Sequence, residues 1–415
     1  MRRIGAGFAT SLAALALAAT VGCGVEASDE RAASQAAPII DGTASGTDHD
    51  SVMFIMIKGK GACTGTLVAP NLVLTARHCV TETDAGALCK VDGTPYDGGR
   101  LYSNFAASDL LVYKGQLAVQ LSGEASRADA KGKQIITEST STYCDSDVAF
   151  ILLDRAVSAP VAPIRLKEGA REGESITAVG WGLTEDGRTP SKRLEREGIR
   201  VEAVGPYTFD ERTKIGLAKS EFLIGEGICS GDSGGPAFAS TGAVVGVVSR
   251  GGNGEQASGA ASCIGSNTIG IYTHLANKKA LVEKAFKLAG FAPRDEGTPP
   301  GKVAGESCTE NVDCSSNTCV SKVCRTPCTD DSACESGETC TTKGDLQICL
   351  PEPKQEKPAQ EPGDDANAAA PSSTTTKTTQ SGCSAAPVGA RSSASLGALL
   401  LGVVVALRVR RRRHG

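Results

Sequence analysis

A hydroxyl, an imidazole and a carboxylate brought together can cleave an acyl bond, and three short segments of this chain supply one of each. Residues 227–236 read Gly-Ile-Cys-Ser-Gly-Asp-Ser-Gly-Gly-Pro and offer Ser233 as a nucleophile, with backbone N–H groups close by at Gly231 and at Ser233 itself. A serine hydroxyl is a weak nucleophile near neutral pH and needs a base that is itself oriented by a third group. Residues 74–79, Leu-Thr-Ala-Arg-His-Cys, supply His78, and residues 145–153 place Asp147 at the head of an apolar run. The chemistry such a set supports is nucleophilic attack on a carbonyl, with His78 moving the proton, Asp147 holding the ring and two N–H donors receiving the oxyanion.

The order His78, Asp147, Ser233, with Ile39-Ile40-Asp41-Gly42 upstream and Gly180-Trp181-Gly182 in mid-chain, resembles the chymotrypsin/trypsin-like serine endopeptidases. The resemblance covers residues 39–290 and implies two six-stranded antiparallel β-barrels closed by a C-terminal helix. It implies catalysis by His78, Asp147 and Ser233, an oxyanion hole of Gly231 and Ser233, and protein or peptide substrates, without a cofactor or a metal. It further implies that Ile39 becomes a free N-terminus whose amine pairs with Asp232 once a pro-segment is cut. Pro38 precedes that site, so an activator requiring Lys or Arg does not fit, and the activating protease is unidentified. The family's pocket positions correspond to Gly227, Gly251 and Gly270. With glycine where tryptic enzymes carry an aspartate, a buried basic substrate side chain would go unpaired, so cleavage after apolar or aromatic residues is expected. Arg250 stands where the family usually has tryptophan. Cys63 with Cys79 and Cys229 with Cys263 match family disulfides, and Cys89 with Cys144 is left by elimination.

Composition narrows the alternatives. The chain has 415 residues, a formal charge of −4, sixteen cysteines and four histidines. Many cysteines beside few histidines argue for disulfides in an oxidising compartment rather than zinc clusters. Arg391, Arg408 and the run at residues 410–413 lie at the chain's end, leaving the remainder more acidic still, which disfavours nucleic acid as a partner.

Along the chain, a charged start and a short apolar stretch give residues 1–22 the look of a secretory signal, followed by a pro-segment at residues 23–38. Cys23 is either a lipidation site or lies near simple cleavage. Residues 39–291 form the catalytic region: short β-rich stretches at residues 52–57, 66–69, 72–75, 148–153, 176–179, 243–248 and 269–272, punctuated by turns, indicate an all-β barrel or sandwich. A helix is expected over residues 276–288, carrying Leu281, Ala285 and Leu288 and stopping at Gly290. After a linker at residues 292–305, residues 306–350 hold eight cysteines in two similar units, too small for an apolar core. They serve either as a ligand-binding module or as a rigid stalk, and the lack of aromatic anchors favours the stalk. Residues 351–382 read as a disordered linker. The tail at residues 383–415 combines Cys383, an uncharged segment and the arginine run, and resembles a myxobacterial-type surface-sorting signal acting through sorting machinery. Its uncharged segment would reach about 24 Å as a helix, against about 30 Å of hydrocarbon, so a marginal membrane anchor is expected. The expectation is thus an exported, cell-surface or outer-membrane-associated endopeptidase. The rival is an inactive protease fold serving adhesion or scaffolding, against which retention of all three catalytic residue types argues.

Overall fold

The structure, a computed structural model, describes residues 39–118, 127–255, 259–298, 301–328, 330–344 and 346–352. Cys23, Cys383, the leader, the pro-segment and the sorting tail lie outside the described residues, as does nearly all of the polar linker. No helix among the described residues is long and apolar enough to cross a membrane.

The run Val-Met-Phe-Ile-Met-Ile forms β1 (Val52–Ile57), and all six residues are buried. An unbroken apolar run means that both faces of the strand are covered. Met53, Ile55 and Ile57 point into one hydrophobic cluster, Val52, Phe54 and Met56 into another. The same alternation recurs in β3 (Leu72–Thr75) and β6 (Ala149–Leu153). With β2 (Gly61–Ala69), β4 (Leu110–Tyr113) and β5 (Ala130–Ile136) these strands close an antiparallel barrel in the order β5-β6-β3-β2-β1-β4.

The second barrel comprises β7 (Ser175–Gly180), β8 (Leu194–Val204), β9 (Glu221–Ile224), β10 (Pro236–Ala239), β11 (Val244–Gly252) and β12 (Ile269–His274). They pair in the order β8-β7-β10-β11-β12-β9, and Val201 opposite Ile224 closes the ring. Its interior is filled by Ile176, Ile199, Phe222 and Tyr272, the last two stacked at 5.0 Å. Trp181, just past β7, faces the other way, edge-on to Phe54 of β1 at 5.5 Å. The outward apolar faces of the two barrels therefore share one cluster, and the junction between them is where the candidate site lies.

The helix α1 spans Lys279–Ala289 and ends at Gly290, whose φ of 80° is the left-handed conformation that glycine adopts without strain. The three residues expected to begin it form a 3-10 turn instead. Leu281, Val282, Ala285, Phe286 and Ala289 are buried, but Leu288 is 45% exposed, so the apolar stripe runs through Phe286 rather than Leu288.

The expected linker at residues 292–305 is not free over its first half. Ile164 N–H donates to Arg294 O at 2.8 Å, and Arg165, 4% exposed, grips Glu296 through Nε and Nη2 at 2.5 and 2.7 Å. The two cysteine-rich units share one connectivity, first to third and second to fourth: Cys308–Cys319 and Cys314–Cys324, then Cys328–Cys340 and Cys334–Cys349. The core of the first unit is sulfur. The first unit is seated on the body through Asn317 Nδ2 to Ala292 O at 3.3 Å and Arg294 Nη1 to Ser315 O at 3.5 Å, with Asn317 and Thr318 fully buried.

Candidate active site

Each candidate residue sits where a strand ends at the junction. His78 lies on a single 3-10 turn (Arg77–Cys79) after β3, and the Cys63–Cys79 disulfide ties that turn to β2. Asp147 lies two residues before β6, at the end of a turn closed by Ser146 N–H to Tyr143 O at 2.9 Å. Ser233 precedes β10, and its carbonyl accepts the N–H of Thr64 at 2.8 Å, stitching the second barrel to β2 of the first. Gly234 allows this close approach: a Cβ there would lie 2.5 Å from Thr64 O and 2.1 Å from Thr75 Oγ1.

Asp147 is fully buried and grips His78 twice, from the ring Nδ1 at 2.8 Å and from the backbone N–H at 3.0 Å. Ser249 Oγ donates to the same carboxylate at 2.6 Å. Burial alone would push the His78 pKa down and the Asp147 pKa up. The charge and hydrogen bonds between them outweigh burial, so His78 is held above the usual imidazole value and Asp147 below the usual carboxylate value. The Ser233 side chain lines the same cleft as His78, with no hydrogen bond between them among the described residues. Such contacts are commonly loose without substrate and tighten when it binds.

Around Gly231 the backbone is fixed on both sides. Leu183 N–H donates to Ser230 O at 2.8 Å, and Thr64 Oγ1 donates to Gly231 O at 3.0 Å. Because a trans peptide points its C=O and N–H in opposite directions, the first bond turns the Gly231 N–H away from Leu183. The φ of Gly231, 109°, is one that a residue with a side chain rarely adopts.

Asp232 is buried and accepts N–H groups from Gly182 at 2.7 Å and Cys229 at 2.9 Å. No cation pairs with it among the described residues, and burial pushes its pKa up to about 7. A Cβ on Gly182 would fall 2.1 Å from Asp232 Oδ2, which accounts for the glycine after Trp181. Ile39, still in peptide linkage to Pro38, is buried against the second barrel's interior. The hydroxyl of Tyr272, buried and without a hydrogen-bond partner among the described residues, lies within electrostatic reach of Asp232.

The three pocket glycines separate. Gly251 lines the cleft, whereas Gly227 and Gly270 are not among its lining residues. Ile228 lines it instead; its Cγ1 would be 2.9 Å from a Cβ on Gly270, and Gly227 packs behind against Ile199. The slot expected to be open is thus narrowed by an isoleucine. Gly251 and Gly270 remain direct partners in the β11–β12 ladder. Cys229–Cys263 and Cys89–Cys144 are both bonded, the latter fastening a hairpin (Ala87–Cys89 with Pro95–Gly98) to the turn that delivers Asp147.

The family model described as Trypsin matches residues 40–282. The chain belongs to the trypsin family. Its relatives include serine protease SP24D of Anopheles gambiae, 28% identical over 49% of this chain and 68% of the relative. A trypsin of Saccharopolyspora erythraea is 25% identical over 46% and 76%, and the beta-fibrinogenase brevinase of Gloydius blomhoffii 27% over 52% and 85%. The protein is a trypsin-like serine endopeptidase.

Several residues around the protease's cleft carry no sequence signal of their own. Ser249 merely follows the apolar run of β11, and Thr64 and Thr75 look like ordinary strand threonines. Leu88, Phe209 and Ile215, which line a cleft of about 1100 Å³ shared with His78 and Ser233, lie on hairpins that no motif marks.

Proposed function

We propose that the protease hydrolyses peptide bonds through an acyl-enzyme on Ser233. His78 takes the Ser233 proton as the oxygen attacks the carbonyl carbon, and returns it to the leaving amine as the C–N bond breaks. Asp147 keeps the His78 tautomer with Nδ1–H toward itself and stabilises the imidazolium. The N–H groups of Gly231 and Ser233 receive the oxyanion; losing one such donor typically costs about 3 kcal/mol. The observation that carries this reading is the doubly hydrogen-bonded His78–Asp147 pair, opening onto the cleft that Ser233 lines.

Cleavage after Pro38 would free the Ile39 amine to neutralise Asp232, whose buried carboxylate has no cation beside it among the described residues. Substrates are proteins or peptides cut after apolar residues, and Ile228 restricts the slot toward aliphatic side chains. Seven disulfides among the described residues support export to an oxidising compartment. On the sequence pattern, a signal at residues 1–22 directs export and the tail from Cys383 is handled by sorting machinery that anchors the protease at the cell surface. The test is a peptide-library cleavage profile on protein whose N-terminus has been sequenced. Aliphatic preference from a chain beginning at Ile39 supports the reading, and cleavage after Lys or Arg would overturn the pocket assignment.

A further inference from the structure

Glu221 is fully buried, and four donors saturate its carboxylate. Arg250 Nη1 and Nη2 reach Oε1 and Oε2 at 2.7 and 2.9 Å, the Asp145 N–H reaches Oε1 at 3.2 Å, and the Ala218 N–H reaches Oε2 at 3.0 Å. Two of these partners lead to the catalytic acid by separate routes. Asp145 belongs to the turn that ends in Asp147, and its own carboxylate accepts Ser220 N–H at 2.5 Å, so the first residue of β9 and the residue before it clamp that turn from both directions. Arg250 follows Ser249, lies 3.4 Å from the Ser249 oxygen, and that oxygen donates to Asp147 Oδ2 at 2.6 Å. A buried ion pair is expensive to desolvate, and an apolar pair of similar volume would serve packing as well or better. Its placement here adds something packing cannot: a fixed positive charge behind the His78–Asp147 couple, neutralised from the far side by Glu221.

We propose that the Glu221–Arg250 pair is a positioning device that orients Asp147 and sets the basicity of His78; this rests on the triad reading above. Other ionisable groups in reach of the couple are Tyr143 on the same turn, Arg77 beside His78 with Glu138 opposite it, and Asp84 beyond Tyr143. Of these, only the ion pair joins a guanidinium of β11 to a carboxylate of β9, so its two charges can be removed one at a time with opposite consequences. Glu221→Gln leaves the positive charge uncompensated and lowers the His78 pKa. Arg250→Met removes that charge, leaves Glu221 unpaired and raises it. The double variant falls between them.

The experiment is an NMR titration of the His78 ring in protein processed to begin at Ile39, where there are only four histidines to assign. It is accompanied by the pH dependence of kcat/KM on a small nitrophenyl ester that does not extend along the cleft. The expected shifts are about one pH unit in each direction for the single variants, the scale of a unit charge at a partly buried site. Ester turnover should fall about ten-fold, mainly in kcat. Arg250→Lys keeps the charge without the planar fork; it should hold the His78 pKa near wild type while kcat drops, which provides a readout if a single variant does not fold. Shifts of the same sign in both single variants, or none, overturn the proposal. Ester turnover that survives Ser233→Ala overturns the triad reading instead, and the ring titration still decides the role of the pair.

Discussion

At the scale of single residues, the site is a carboxylate held by more partners than its sequence neighbourhood reveals. Asp147 takes two hydrogen bonds from His78 and one from Ser249, so Ser249→Ala should loosen the acid without removing it. We expect kcat/KM to fall about ten-fold with KM little changed, as measured on peptide substrates. Because His78 must be neutral to accept a proton and its pKa is held up by Asp147, activity should disappear as pH falls through a value above that of a free imidazole. Asp232 gives a second pH signature, confined to the uncut chain. Its folded pKa of about 7 lies above the ordinary carboxylate value, so the protonated form is the one that favours folding. Its contribution is fully present below pH 4 and is lost as pH rises toward 7, at up to about 1.4 kcal/mol per unit. Urea titrations of uncut Ser233→Ala protein should show this decline, and Asp232→Asn should flatten it; an equal slope in both would remove Asp232 as its source. Ile228→Gly should widen the slot and shift the cleavage profile toward aromatic residues by about ten-fold in relative kcat/KM. The three residues proposed for catalysis could be picked out because each lies in a short distinctive segment. The pocket was not, because a residue's place along the chain does not say whether it faces the slot or stands behind the residue that does.

At the scale of elements, some strands buried on both faces announced themselves, whereas β4, β9 and β10, buried throughout, did not. The runs that became β1 and β6 are apolar throughout, and β3 is apolar but for Thr75, because each strand is covered on both sides. β8 and β5 escaped notice: Glu195, Glu197 and Lys131 share strands with buried Ile199, Val201 and Ile136, and the alternation is broken by bulges. The helix was legible in position and ending but not in its buried face, since both Leu288 and Phe286 fit an apolar stripe by type. That difference is testable. Phe286→Ala should destabilise the protease by about 3–5 kcal/mol, whereas Leu288→Ala should change stability by less than about 0.5 kcal/mol, as read from denaturant midpoints. Comparable losses at both positions would contradict the buried face described here.

At the scale of the whole molecule, two barrels contribute one catalytic face each, and the bonds between them cross the junction at Thr64, Ser233, Trp181 and Phe54. The sequence read residues 292–305 as a linker and favoured a stalk over a ligand-binding module for residues 306–350. In the structure, residues 294–296 and the first cysteine-rich unit are fixed to the body through Arg165, Arg294 and Asn317. None of this could be read from spacing, which shows that cysteines pair but not what the folded unit rests on. The central claim is that Ser233, His78 and Asp147 act as one catalytic unit that becomes fully competent when Ile39 is the N-terminus. Its most direct test is labelling by a fluorophosphonate probe, compared between uncut protein, protein beginning at Ile39, and the Ser233→Ala and His78→Ala variants of the latter. The account predicts strong labelling only of the processed wild type, on Ser233. Equal labelling before and after processing would contradict the role of Ile39, and label that persists in Ser233→Ala would contradict the catalytic assignment itself.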